Sequence, residues 1–405
     1  MSAPTQFDND CITNLSIYQQ QPQLSLSTMG NGVQLTPEII SKLTLDEEHD
    51  PDEFRMLVIR NLKIPTVKPI PSKSPTQSLG MLDTLPSEIL LSILEYLDFQ
   101  SLCRLTLVCL RGKLAVESMR AYREMRLYAG NVLAALGKTR LIKYHSAALL
   151  RQTLRSSRCA SCFDFGGFLF LPTCERVCFE CLYHNQGLHM MTPNTAKKCF
   201  DLTDRQLKSI PTLFSIPGTY NVRNLISRKR VFRLVCVKQA KQLALQVHGS
   251  PESVAKIIPK APPRGIETNE AETKEYWMLR GFHEAPLEPP GCDLSLLPPK
   301  EEAPDDEFGG MAATRMPYLS NKGLDHGRLC RGCQLLLHIY DNGKLPLRVL
   351  RSLVPEGLDV HAPLFAQMTR LRSGDVFARH LTKCYGAWDL LKQWGYFEKP
   401  QAKEG

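Results

Sequence analysis

Apolar positions return with a helical period after Leu85. Ile89, Leu90, Ile93, Leu94 and Leu97 fall at i, i+1, i+4, i+5 and i+8, the spacing of one apolar helical stripe. Pro86 suits the first helical turn, where its missing N–H costs nothing, and Asp83 or Thr84 is placed to cap the orphan donors. Asp98 then opens a second helix with Leu102, Leu105, Val108 and Cys109 on its inner face. Two helices this short bury little surface alone, so they need a third helix or a partner. An ordinary helical hairpin of a larger core would show the same stripe.

Further along, Asn131 to Leu154 reads as more helix, with Leu133, Leu136, Leu141, Ala148 and Leu150 as apolar positions. Leu202-Thr203-Asp204-Arg205-Gln206-Leu207 is a capped helix start, and Ile216-Pro217-Gly218-Thr219-Tyr220 marks a turn. Val231 to His248 begins β-branched and ends Ala/Leu-rich, which predicts a strand running into a helix that Gly249-Ser250-Pro251 stops. Glu252 to Ile258 adds a short helical piece, and a helix from about Ser373 to Trp394 closes the ordered chain. Gln, Ser, Thr and Pro dominate residues 1–78, which read as a disordered tail with a short helix between Leu43 and Leu62. Pro259 through Pro304 and Asp305-Asp306-Glu307 mark a second weakly patterned stretch. The expected plan is therefore a tail over 1–78, a helical unit over 81–125, and a helical segment plus cysteine module and mixed α/β body over 126–258. A flexible Pro-rich linker over 259–325 and a C-terminal helix-rich element over 326–397 follow. The fold class is mainly α with a small α+β body.

Composition changes this picture modestly. At 405 residues with 43% hydrophobic content, the chain has room for two or three modules and a core in part of them. It holds no apolar run of membrane-spanning length, and Met1 to Gln6 lacks the pattern of a signal peptide. The expectation is a cytoplasmic and/or nuclear protein without a membrane partner. Fourteen cysteines in a reducing compartment then point to metal or buried thiols rather than disulfides. The net charge of +9 is modest for this length. The densest basic patch, Arg223, Arg228, Lys229, Arg230, Arg233, Lys238 and Lys241, is interleaved with apolar residues and reads first as a folded amphipathic segment.

The cysteines carry the clearest chemistry. Cys159-x2-Cys162 and Cys178-x2-Cys181 are separated by fifteen residues, the spacing of a structural zinc site. Each x2 knuckle converges two thiolates, and two knuckles complete the tetrahedron that zinc accepts. Phe163, Phe165, Phe168, Phe170 and Leu171 suit a short hairpin over the metal. Cys174 and His184 are alternative ligands, and four buried thiols without metal are the plainer reading. A second set is Cys330-x2-Cys333 with His380 and Cys384, the latter two at i and i+4 and so on one face of a helix. Forty-six residues separate Cys333 from His380, far more than in a compact finger, and His338 is a substitute ligand. There is no Walker A loop, strand-linked GxGxxG, GxSxG elbow or HExxH, and no carboxylate spacing selects an acid/base pair. These absences argue against an enzyme.

The run Leu85-Pro86-Ser87-Glu88-Ile89-Leu90-Leu91-Ser92-Ile93-Leu94-Glu95-Tyr96-Leu97-Asp98 resembles the opening of an F-box, although the tryptophan usual after the Val108-Cys109 pair is missing. Arg158-Cys159-x-x-Cys162 with Leu171-Pro172-x-Cys174-x-Arg176-x-Cys178-Phe179-x-Cys181-Leu182 looks like the segment that follows the F-box in many fungal F-box proteins. The resemblance implies a three-helix F-box in which Leu85, Pro86, Ile89, Leu90, Ile93, Leu94 and Leu97 contact the Skp adaptor, which bridges to a cullin scaffold. It implies a non-catalytic substrate receptor of an SCF-type ubiquitin ligase, holding a target protein through the zinc-containing body. The alternative is a zinc-dependent nucleic-acid-binding regulator, which the basic patch motivates and a knot poor in Lys and Arg disfavours.

Overall fold

Thr36 sets the first element. Its hydroxyl accepts the Ile39 N–H at 3.4 Å and Pro37 occupies the first turn, so α1 (Pro37–Leu43) starts where cap chemistry favours it. β1 (Thr44–Leu45) follows directly. This computed structural model describes residues 35–45, 58–59, 62, 78–220, 226–257, 270–287, 307–353 and 360–396. Within the expected tail, α1 and β1 are therefore ordered, and α1 ends where a helix over Leu43–Leu62 was to begin. Most of that span lies outside the described residues. The reason α1 escapes a local reading is that its buried side chains, Ile39 and Leu43, pack on residues from the other end of the chain.

The chain divides into two compact units, Asp52–His326 and the two chain ends up to Pro51 and from Gly327. The central unit opens with a 3₁₀ turn (Gly80–Thr84), α2 (Ser87–Glu95), α3 (Phe99–Val108), α4 (Leu110–Ser118) and α5 (Arg120–Tyr128). Pro86 stands just ahead of α2 as its N-cap rather than inside its first turn. Asp83 does not cap α2; it accepts from the Ser78 hydroxyl at 2.7 Å and the Leu79 N–H at 2.9 Å. Asp98 caps α3, accepting the Ser101 N–H at 2.9 Å, and the Cys109 thiol caps α4 by accepting the Gly112 N–H at 3.2 Å. Phe99 stacks on Tyr122 with ring centroids 4.9 Å apart, tying α3 to α5. α6 (Gly130–Lys138) and α7 (Ala147–Leu154) extend the helical layer. Arg151 of α7 and Arg155, which caps it, both reach Glu124 of α5, at 3.0 and 2.6 Å.

β2 (Phe168–Phe170) and β3 (Glu175–Val177) form an antiparallel hairpin, followed by α8 (Phe179–His184). β4 (Met190–Met191), α9 (Pro193–Phe200), α10 (Asp204–Leu207) and β5 (Leu213–Phe214) lead to the hairpin of β6 (Gly218–Tyr220) and β7 (Ile226–Arg228). β8 (Arg233–Cys236) lies between β4 and β5 and runs into α11 (Val237–His248), which ends at Gly249 in the left-handed region, φ 83°. α12 (Pro251–Ala255) and α13 (Glu270–Glu284) come next. β9 (Ala313–Arg315) and a hairpin of β10 (Tyr318–Ser320) and β11 (Gly323–Asp325) complete the unit. The reading of 259–325 as a flexible linker is corrected over 270–287 and 307–325; the rest of that span lies outside the described residues. Leu279 and Phe282 of α13 are buried in one cluster with Phe200 and Ala240, and β9 adds a third strand to the β2–β3 hairpin. Proline content hid these elements because their partners lie far upstream.

In the other unit β12 (Leu329–Cys330) pairs antiparallel with β1, Thr44 opposite Cys330 and Leu45 opposite Leu329. α14 (Arg331–Asp341), α15 (Leu347–Leu353), α16 (His361–Thr369), α17 (Gly374–Leu381) and α18 (Tyr385–Gln393) follow. The single helix expected over Ser373–Trp394 is broken at Thr382–Cys384. The Lys383 N–H folds back onto the His380 carbonyl at 2.9 Å, and the Trp388 indole N–H donates to the Thr382 carbonyl at 3.2 Å. α14 and α18 meet backbone to backbone: a Cβ on Gly332 would overlap Ala387 and one on Gly386 would overlap Gly332.

Candidate functional site

The first cysteine set is assembled from a loop and a helix cap. Cys159 and Cys162 lie on a knuckle that closes through the Phe163 N–H to the Cys159 carbonyl at 3.0 Å, with Phe163 itself at φ 64°. Cys178 is the N-cap of α8 and Cys181 lies one turn inside it. Backbone N–H groups point at the sulfurs, Ser161 to Cys159 Sγ and Cys181 to Cys178 Sγ, each at 3.4 Å. The four Sγ atoms lie within 4.8 Å of one another, with Cys162 and Cys178 at 3.5 Å. A tetrahedral zinc with bonds of about 2.3 Å needs sulfurs about 3.8 Å apart, so the set fits that ion. Hydrogen bonds from the Cys162, Cys178 and Cys181 thiols hold Cys159 well below the usual thiol range, while the same sharing drives Cys178 well above it. A divalent cation would relieve this by ionising all four.

Arg176, which sequence reasoning did not single out as functional, supports this centre. It is 2% exposed and donates to the carbonyls of Gly166 at 2.6 Å, Met316 at 3.0 Å, Pro317 at 2.6 Å and Thr153 at 3.1 Å. Burial pulls its guanidinium down to about 10. One cation thus gathers carbonyls from the knuckle loop, the chain after β9 and α7. Cys174 lies outside the set: its thiol faces Thr153 at 3.8 Å and burial pushes it up to about 12. His184 pairs with Glu180 at 3.5 Å.

The second set is brought together from three places. Cys330 ends β12 and caps α14, Cys333 lies in the first turn of α14, His380 ends α17, and Cys384 is the N-cap of α18. The ligand atoms again lie within 4.8 Å of one another, Cys333 Sγ at 3.3 Å from His380 Nε2 and Cys330 Sγ at 3.8 Å from Cys384 Sγ. The i, i+4 helical face that motivated the pair does not exist, since α17 stops between them; the turn at Thr382–Lys383 aims both side chains inward instead. Burial lowers the His380 pKa and favours the neutral imidazole that a metal takes. Hydrogen bonds from Cys333 and Cys384 hold Cys330 well down. His338 lies outside this set, bonded to Asn342.

The apolar stripe after Leu85 divides. Leu90 and Leu94 are buried at 5% and 2% exposure and belong to the core, which corrects their assignment to a partner surface. Pro86 is exposed, Leu85 and Leu97 are half-buried, and Ile89 and Ile93 point outward at 50% and 44%. Tyr96 continues that face, and Leu107, Val108, Leu110 and Leu114 are exposed on α3 and α4. Apolar side chains exposed in this density mark an interaction surface. Residues 82–126 match the F-box-like family model. The chain therefore carries an F-box-like domain, built from the 3₁₀ turn and α2 to α5, and such a domain supports binding of a Skp-type adaptor. No curated protein and no solved structure matches the chain.

Two other readings meet the structure only partly. The basic patch of 223–241 is not one free basic face: Lys238 pairs with Glu175 at 2.7 Å and Lys241 donates to the Ala285 carbonyl at 2.7 Å. Arg223 lies outside the described residues. Among the described residues no helix is long and apolar enough to cross a membrane.

Proposed function

We propose that this protein is a substrate-receptor subunit of an SCF-type ubiquitin ligase. The outward face of Ile89, Ile93 and Tyr96, with Pro86 ahead of it, docks the Skp adaptor, and through it a cullin scaffold. The central body beyond the F-box-like domain holds a target protein, and both cysteine-rich centres hold structural zinc. Ubiquitin transfer belongs to other subunits, so no residue here takes a catalytic role. The observation that carries the reading is the exposure of Ile89 and Ile93 on the helix that the family match covers. The test is Ile89→Asp with Ile93→Asp. Because both side chains face solvent, the variant should fold and keep its zinc, yet lose adaptor co-purification at least ten-fold. Undiminished adaptor binding by the folded variant would sink the assignment.

A further inference from the structure

The segment Leu35–Leu45 is covalently remote from the C-terminal metal centre and yet is built into it. Thr44 pairs with Cys330, a ligand, and Leu45 pairs with Leu329. Ile39 and Leu43, 5% and 0% exposed, share one buried cluster with Cys330, Cys333, Cys384 and Phe377. Lys42 reaches the Tyr396 hydroxyl at 2.8 Å, just past α18. The segment has little to hold it otherwise. A helix of seven residues does not persist alone, and β1 is only two residues long. The surface that receives it is largely conditional too: beside Leu364 and Met368 of α16 it is composed of β12, α14, α17 and α18, the elements from which the four ligands come.

We propose that the Cys330, Cys333, His380 and Cys384 centre is a zinc-dependent clasp for the N-terminal segment. Zinc fixes the strand and the helix corner against each other, and the segment 35–45 docks on the result. The proposal rests on the zinc reading of this set. Coupling of this kind is reciprocal: if zinc favours docking, docking tightens zinc by the same factor. The clasp thereby sets one end of the chain that runs on to the F-box-like domain.

Hydrogen–deuterium exchange on the full-length protein, with zinc counted by elemental analysis, tests this. The zinc-loaded wild type should hold two zincs and protect the peptide 35–45. Cys384→Ser should hold one zinc and exchange that peptide at least a hundred-fold faster, while peptides from 130–250 keep their protection. In the reverse direction, Leu43→Asp should still bind two zincs but release the C-terminal one to a chelating dye at least ten-fold faster. A wild type that binds no zinc at Cys330, Cys333, His380 and Cys384 removes the reading beneath the proposal. Zinc loss with unchanged protection of 35–45, or Leu43→Asp with unchanged release, overturns the clasp while leaving the zinc site standing.

Discussion

Cys159, Cys162, Cys178 and Cys181 lie within one short stretch of chain, around a hairpin that the same stretch supplies. Cys330, Cys333, His380 and Cys384 come instead from a strand end, a helix start, the last turn of a helix and a helix cap, two of them more than forty residues from the others. The two sets reach the same mutual distance of 4.8 Å or less by opposite routes. At the first, the β2–β3 hairpin is itself buried and the metal would organise the knuckle loop over 159–165 against it, so its binding energy is folding energy for that loop. At the second, packing does much of the gathering: Gly332 and Gly386 let two helices touch, and Phe377 and Leu381 fill the space beside the ligands. Exposure differs too. Cys162 is half-buried beside an exposed Phe163, whereas Cys330, Cys333 and Cys384 are buried.

The largest effect that sharpens this contrast is expected at the first centre. Cys162→Ser or Cys178→Ser should remove one zinc, costing a large part of the roughly 10–16 kcal/mol that a structural zinc supplies. Limited proteolysis should then cut within 157–191, with the C-terminal zinc retained. Loss of both zincs from either variant would break the comparison by making the centres one cooperative unit. Next in size is release kinetics. A chelating dye should draw zinc in two phases, the faster at least ten-fold quicker and absent from Cys162→Ser. A fast phase that survives in that variant would reverse the order of the two sites. Smaller is Gly386→Ala, whose methyl group meets the Gly332 backbone. It should destabilise the C-terminal unit by about 1–3 kcal/mol in thermal unfolding and leave the first centre's zinc release unchanged. Smallest is thiol reactivity with zinc in place. Among the described cysteines Cys103 is exposed and, although partial burial raises its thiol too, should alkylate well ahead of Cys174 and Cys236, which burial pushes up to about 12 and which should stay silent near pH 8.

The same contrast explains what was legible in the sequence. The convergence of the first set could be read because its cysteines, their spacing and the hairpin between them are local. Asp98 as a cap and the strand-to-helix passage into α11 were legible for the same reason. The second set was found from residue types, but its geometry was misjudged: nothing within 373–394 signals that the chain turns at Thr382 rather than continuing as helix. The outward and inward halves of the α2 stripe could not be separated, because adjacent apolar pairs such as Ile89-Leu90 and Ile93-Leu94 do not say which member faces the core. The expected linker hid α13, although Tyr276, Leu279 and Phe282 at i, i+3 and i+6 carry a signal that could have found it. Arg176 stood out only as a position of the motif around Cys174 and Cys178; its role could not be read, since the carbonyls it serves lie up to 141 residues away.

The strand β9 has a consequence for how the chain is made. β2 gains its second neighbour from residues 313–315, and Arg176 reaches Met316 across 140 positions. At 5–20 residues per second, ribosomal synthesis leaves that edge of β2 waiting roughly 10–30 s for its partner. During this interval a three-residue apolar strand, Phe168-Leu169-Phe170, is open for pairing with whatever arrives first. A chain ended before Ala312 never closes that edge, so such a truncation should accumulate as aggregate even with its first zinc in place.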